Sequence, residues 1–101
     1  MRVMVFFDLP VLTDINRREY SKFRKTLLTE GFVMMQKSVY SKIASNNSTS
    51  DAVIHNIRMH KPSEGTVQIL VITEKQFQSI EYLLGESQTE VIDTQQRLVI
   101  L

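Results

Sequence analysis

The chain has 101 residues, 43% apolar and 23% charged, with a net charge of +1, which points to one domain spanning 1–101 with a single core and argues against disorder. It has no cysteine and only two histidines, His55 and His60, so disulfides and thiolate metal centres are excluded and a typical zinc site is not expected. No segment approaches the roughly 18 consecutive apolar residues of a membrane span, and a basic start with a small-residue cleavage site is missing, so a cytoplasmic, membrane-free protein is expected.

Arg2 to Leu9 is predicted as a strand, rich in β-branched and aromatic residues and stopped by Pro10. In it an apolar run, Val3 to Phe7, meets the carboxylate of Asp8. Asp14 to Glu30 reads as a helix: Tyr20, Phe23, Leu27 and Leu28 recur at helical spacing, Thr13 or Asp14 can cap the start, and Gly31 sits at the end. Phe32 to Ile43 is extended, as one bent strand or two short ones. Ala44 to Ser50 is a polar turn region, and Asp51 to His60 a short helix burying Val53, Ile54 and Ile57 before Pro62. Thr66 to Thr73 (TVQILVIT) is the clearest strand, and Glu74 to Leu84 is predicted helical through Phe77, Ile80 and Leu84. Residues 85–93 give no clear pattern, and Arg97 to Leu101 (RLVIL) reads as a terminal strand.

This order is that of an α+β, ferredoxin-like βαββαβ sandwich with an additional C-terminal helix and strand. Such a sheet carries its helices on one face. In the first strand Val3, Val5 and Phe7 share one face while Met4, Phe6 and Asp8 share the other. In TVQILVIT, Val67, Ile69 and Val71 oppose Leu70 and Ile72. Both faces are apolar, and at about 25 cal/mol per Å² an uncovered one would cost several kcal/mol. A homodimer packed sheet to sheet is therefore expected, with residues 85–101 pairing onto the partner protomer.

In that dimer two copies of Asp8 approach each other across the two-fold axis. Paired carboxylates repel unless a cation lies between them, and a hard divalent ion such as Mg2+, holding several waters, meets that need. With one carboxylate per chain, binding is expected to be weak or pH-dependent.

Charge is unevenly distributed. Met1 to Pro62 contains ten Lys or Arg against five Asp or Glu, and Ser63 to Leu101 two against six, so the first part is +5 and the second −4. A basic half in a nearly neutral chain points to a polyanion. The candidate phosphate contacts are Arg17, Arg18, Lys22 and Lys25 on the first helix, with Lys37 and Lys42 on the following extended segment. Arg24 falls nearer the apolar stripe. Such contacts are sequence-independent and salt-sensitive. TVQILVIT has no aromatic residue for stacking bases, so duplex backbone binding is expected over single-strand readout. Ser38 and Tyr40 either approach Asp8 or line a strand, and the histidines are expected to face solvent.

FFDLP, the basic helix NRREYSKFRKTLLTEGF and MMQKSVYSKI together resemble the CRISPR-associated protein 2 family, and their wording is similar to members from type II systems. The likeness is strong over about the first 43 residues and continues in pattern through TVQILVITEKQF. Asp8 falls on the family's metal-binding position, and Phe7 stands where the family often has Tyr. The resemblance implies a Mg2+-dependent endonuclease acting on RNA or duplex DNA, with Asp8 as the catalytic, metal-binding residue paired across the dimer. It also implies a dimer that bridges the CRISPR-associated integrase and holds double-stranded protospacer DNA, a role needing only a basic face. A ferredoxin-like ligand-sensing or RNA-binding regulatory domain is the alternative from another class.

Overall fold

The computed structural model describes residues 1–86. Its elements in chain order are β1 (Arg2–Asp8), α1 (Asp14–Thr29), β2 (Val33–Gln36), β3 (Val39–Ile43), α2 (Asn47–Met59), β4 (Thr66–Ile72) and α3 (Glu74–Gln78). The four strands form one sheet in the order β2-β3-β1-β4, and every neighbouring pair is antiparallel. With α1 and α2 as crossovers, this is the ferredoxin-like topology expected from the element order. The expected terminal strand lies outside the described residues, as does the pairing segment from residue 87 on.

Strand β1 is central, paired with β3 from Arg2 to Phe6 and with β4 along its whole length. Its alternation is as expected on the helix-covered face: Val3, Val5 and Phe7 are buried with Phe23 and Leu27 of α1 and Val53 and Ile57 of α2. Phe7 anchors an aromatic group, edge-on to Phe23 and Tyr20 at centroid distances of 5.3 and 5.9 Å and stacked on Tyr40 at 5.7 Å. Helix α1 starts in a capping box in which Thr13 Oγ1 accepts from the Asn16 N–H and the Asn16 side chain accepts from the Thr13 N–H. It ends at Gly31, whose φ of +94° suits a residue without a Cβ.

Three expectations are corrected. First, α2 begins at Asn47, so the polar turn is shorter than Ala44 to Ser50. Asn46 Oδ1 accepts from the Thr49 N–H at 2.8 Å and starts the helix a turn early, leaving Ser50 buried. Second, α3 covers only Glu74–Gln78. After the Thr73–Gln76 capping box, Ser79 Oγ donates to the Gln76 carbonyl at 2.6 Å, and its side chain competes with helix continuation. Leu83 and Leu84 are consequently 89% and 94% exposed.

Third, the other sheet face is not left bare by the single chain. Phe77 of α3 is buried there with Met4 and Met35, against Phe6, Val39 and Ile72. Arg2 locks this strap. Its guanidinium lies 3.9 Å from the Phe77 ring centroid and pairs with Glu74 at 2.8 Å. The rest of the face stays open as a cavity of about 340 Å³ lined by residues including Met4, Phe6, Val39, Leu70 and Ile80.

Two measurements probe the strap. Replacing Phe77 by Ala is expected to destabilise the chain by about 3 kcal/mol in urea unfolding, through lost burial and the cavity left behind. The hydrogen bond from Arg2 holds the Glu74 carboxyl below its usual pKa, helped by the guanidinium charge and opposed by desolvation. The contribution of this pair to stability is thus complete at neutral pH and lost as pH falls through the lowered value. An NMR titration of Glu74 is expected to shift up towards the ordinary carboxylate value in Arg2→Gln.

Candidate functional site

Asp8 closes β1 with its side chain exposed, directly opposite Thr66 of β4. It follows the alternation that puts Met4 and Phe6 on the open sheet face, so its carboxylate belongs to that face and not to the helix layer. Two backbone devices hold this strand end. The Phe7 N–H donates to the Ser38 carbonyl at 3.0 Å, from a β2–β3 turn in which Ser38 has a φ of +66°. On the other side Gly65, with φ +97°, comes so close that a Cβ there would lie 2.6 Å from the Asp8 carbonyl oxygen and 2.9 Å from Leu9 Cδ2. Only glycine fits that approach.

The loop carrying Gly65 is tied back to α1. Ser63 Oγ donates to both Glu19 carboxylate oxygens, at 2.8 and 3.0 Å, and the Ser63 N–H adds a contact at 3.3 Å. The Glu64 carboxylate accepts from Asn16 Nδ2 at 3.5 Å. Among the described residues no group of three or more His, Cys, Asp or Glu could hold a metal ion. A single exposed carboxylate per chain nevertheless fits a hard cation that keeps most of its waters and takes one or two carboxylates.

Of the two residues left open between the Asp8 site and a strand lining, Tyr40 takes the structural place, in the core. It is buried on the helix side, stacked on Phe7, and its hydroxyl accepts from Arg24 Nε at 2.9 Å. This bond also accounts for Arg24 lying towards the apolar stripe. Ser38 acts through its backbone, as described.

The candidate cations separate into groups. Around α1, Arg18, Lys22 and Lys25 stand at i, i+4 and i+7, forming one stripe on the side away from the sheet. Arg17 leaves this stripe: it donates to the Val11 and Leu12 carbonyls and pairs with Asp14, closing the loop after β1. Lys37 is exposed in the turn after β2, near the Asp8 end of the sheet. Lys42 lies at the opposite end, opposite Val3. A Cβ on Gly31 would fall 2.8 Å from its Nζ, so its charge sits by the carbonyl end of α1, a helix with no basic residue in its own last turn. Sequence reasoning missed Lys61, which lines the α1–α2 cleft together with Lys22. Only the fold brings them together.

The architecture defines a class: a ferredoxin-like α+β protein with a lone carboxylate at the end of a central strand and a cationic stripe on its first helix. The family model described as CRISPR associated protein Cas2 matches residues 1–80, and the chain belongs to that family. It is 52% identical to the CRISPR-associated endoribonuclease Cas2 of Treponema denticola over all of both chains. It is 45% identical to the protein of the same name from Ligilactobacillus salivarius, again over all of both, and 46% identical to that of Streptococcus mutans over all of this chain and 93% of the other. The crystal structure of Streptococcus pyogenes Cas2 at pH 6.5 superposes with a TM-score of 0.62 at 17% identity, over 82% of this chain and 99% of that one. That likeness supports the fold. Among the described residues no helix is long and apolar enough to cross a membrane.

Gly65→Ala tests how tightly the Asp8 end of β1 is held. A methyl group aimed at the Asp8 carbonyl, on a residue at positive φ, is expected to cost about 2 kcal/mol or more in thermal unfolding. Backbone amide shifts should move most at Asp8, Leu9 and Thr66.

Proposed function

We propose that this chain serves CRISPR adaptation as a homodimer that holds double-stranded DNA along α1 and bridges the CRISPR-associated integrase, with a separable Mg2+-dependent endonuclease activity at Asp8. The observation that carries this reading is the division of labour between layers. The cations of the α1 stripe stand on the outside of the helix layer, whereas Asp8 belongs to the open face of the sheet. A duplex can thus be gripped without touching the carboxylate.

The same open face supports self-association. Its cavity is lined largely by apolar side chains, and Leu70 is 49% exposed beside it, which a second copy would cover. Packing two such faces would bring two Asp8 carboxylates towards one another at the edge of the contact. Asp8 and its counterpart would hold the Mg2+ ion, which when bound supplies an activated water and charge stabilisation for phosphodiester cleavage. The chain's own part is positional: Gly65 and Ser38 fix the backbone on either side of the carboxylate, and the buried Phe7 keeps the strand end from turning over. The name endoribonuclease, carried by relatives up to 52% identical, supports RNA as a cleaved substrate. The adaptor role draws on the family and on the cationic stripe.

Asp8→Asn separates the two activities. Mg2+-dependent cleavage of RNA and of duplex DNA is expected to fall by about a hundredfold or more, while duplex affinity in the same preparation stays within about twofold. Loss of cleavage and binding together would overturn the separation. Light scattering on the unmodified chain is expected to give twice the chain's mass, and a monomer at micromolar concentration would remove the paired carboxylate.

A further inference from the structure

Between the middle of α1 and the end of α2 runs a cleft of about 220 Å³, whose lining includes Glu19, Lys22, Thr26, His60, Lys61 and Pro62. Its acceptors are already engaged. Glu19 accepts three contacts from Ser63, and along the same helix pair Glu30 accepts from Asn56 Nδ2 at 2.8 Å. Both carboxylates therefore accept from neutral donors, and of the two Glu19 lines the cleft. The Thr26 hydroxyl donates to the Lys22 carbonyl at 3.0 Å, and His60 Nδ1 donates to the Asn56 carbonyl at 2.8 Å. Among the described residues the ion pairs are Arg2–Glu74 and Arg17–Asp14. Among the described residues Lys22 and Lys61 thus line one cleft with no carboxylate in an ion pair with either.

The neutral Ser63 donors leave Glu19 its charge, so the cleft lining carries two lysines against one carboxylate, and an anion offsets the positive charge that remains. We propose that the α1–α2 cleft is a phosphate seat in which Lys22 and Lys61 grip the same phosphodiester of a double-stranded DNA. The inference rests on the reading of α1 as the duplex-binding face and adds α2 to it. Lys22 belongs to the Arg18–Lys22–Lys25 stripe, and Lys61, just beyond α2, widens that stripe across the cleft. A phosphodiester suits this place because it brings charge and acceptor oxygens only, the complement of ammonium donors. The neighbouring His60 is held by Asn56, and Glu19 by Ser63, so the walls are set before a ligand arrives.

The test uses the full chain, a labelled mixed-sequence DNA duplex and fluorescence anisotropy across a salt series. Lys61→Gln is expected to weaken binding about tenfold and reduce the slope of log affinity against log salt by about one for each protomer the duplex engages, the signature of one lost phosphate contact per protomer. Lys22→Gln should do the same. Because both grip one phosphate, the double variant should bind more tightly than the product of the single losses requires. Strictly multiplicative losses would show two separate contacts and overturn the shared seat. An unchanged slope in Lys61→Gln, with a reduced slope in Arg18→Gln/Lys25→Gln, would overturn the seat and leave the α1 face standing. If neither variant changes the slope, the duplex-binding reading of α1 fails as well. Circular dichroism confirms folding, which substitution of exposed lysines should not disturb.

Discussion

The burial of Phe7 is the constraint on which the rest of the site depends. This ring is packed between α1 and β3, against Phe23, Tyr20 and Tyr40, in a setting where aromatic contacts add to a large burial term. Turning β1 over by one residue would expel it to the open face. With Phe7 fixed inwards, pleating leaves the next residue no choice: Asp8 must face the other way. A carboxylate could not take the inward place without an unpaired charge in the core. The position of the candidate site is therefore set by the hydrophobic residue beside it. The ring at this position carries no hydroxyl, and in its cluster the phenol of Tyr40 accepts from Arg24.

Much of the fold was legible because its main elements follow simple periodicities. The alternation in β1 and the spacing of Phe23 and Leu27 in α1 state which side is inside, and TVQILVI is continuous enough to mark β4. Legibility failed where side chains capped the backbone. Asn46 draws a run of Asn, Ser and Thr into α2, although those residues favour turns and caps, and Ser79 ends α3 although Ile80 and Leu84 continue the apolar spacing. Tyr40 was ambiguous for another reason. An amphipathic residue on a strand reads equally as a site residue or as core, and only its place over Phe7 decides.

The strap formed by α3 changes the account of the open face. Alternation alone implies a wholly exposed apolar surface, whereas Phe77, clamped by Arg2, covers the part around Met4 and Met35. What stays open is a smaller apolar recess, and Asp8 lies on the same face at the far end of β1 from Arg2. The clamp thus reduces the exposed apolar area of this face and leaves a recess that reaches Phe6, two residues before the carboxylate. This matters for association: a smaller, shaped recess specifies one geometry of approach better than a flat apolar sheet does, because packing complementarity and not area alone selects the contact.

The distribution of cations follows a similar logic of prior commitments. Arg2 is spent on Glu74 and Phe77, Arg17 on the loop after β1, Arg24 on Tyr40 and Lys42 beside the end of α1. Counting basic residues overstates the surface available to a polyanion, since each of these four has an internal task. The remainder is more informative than the total. Arg18, Lys22 and Lys25 recur on one stripe, and Lys61 stands across a cleft whose lining acid, Glu19, is answered by Ser63 in place of lysine. With Glu19 held by Ser63, those lysines keep their ammonium groups available on the outer layer while Asp8 lies on the sheet face, and the two surfaces are free to serve different ends of one nucleic-acid chemistry.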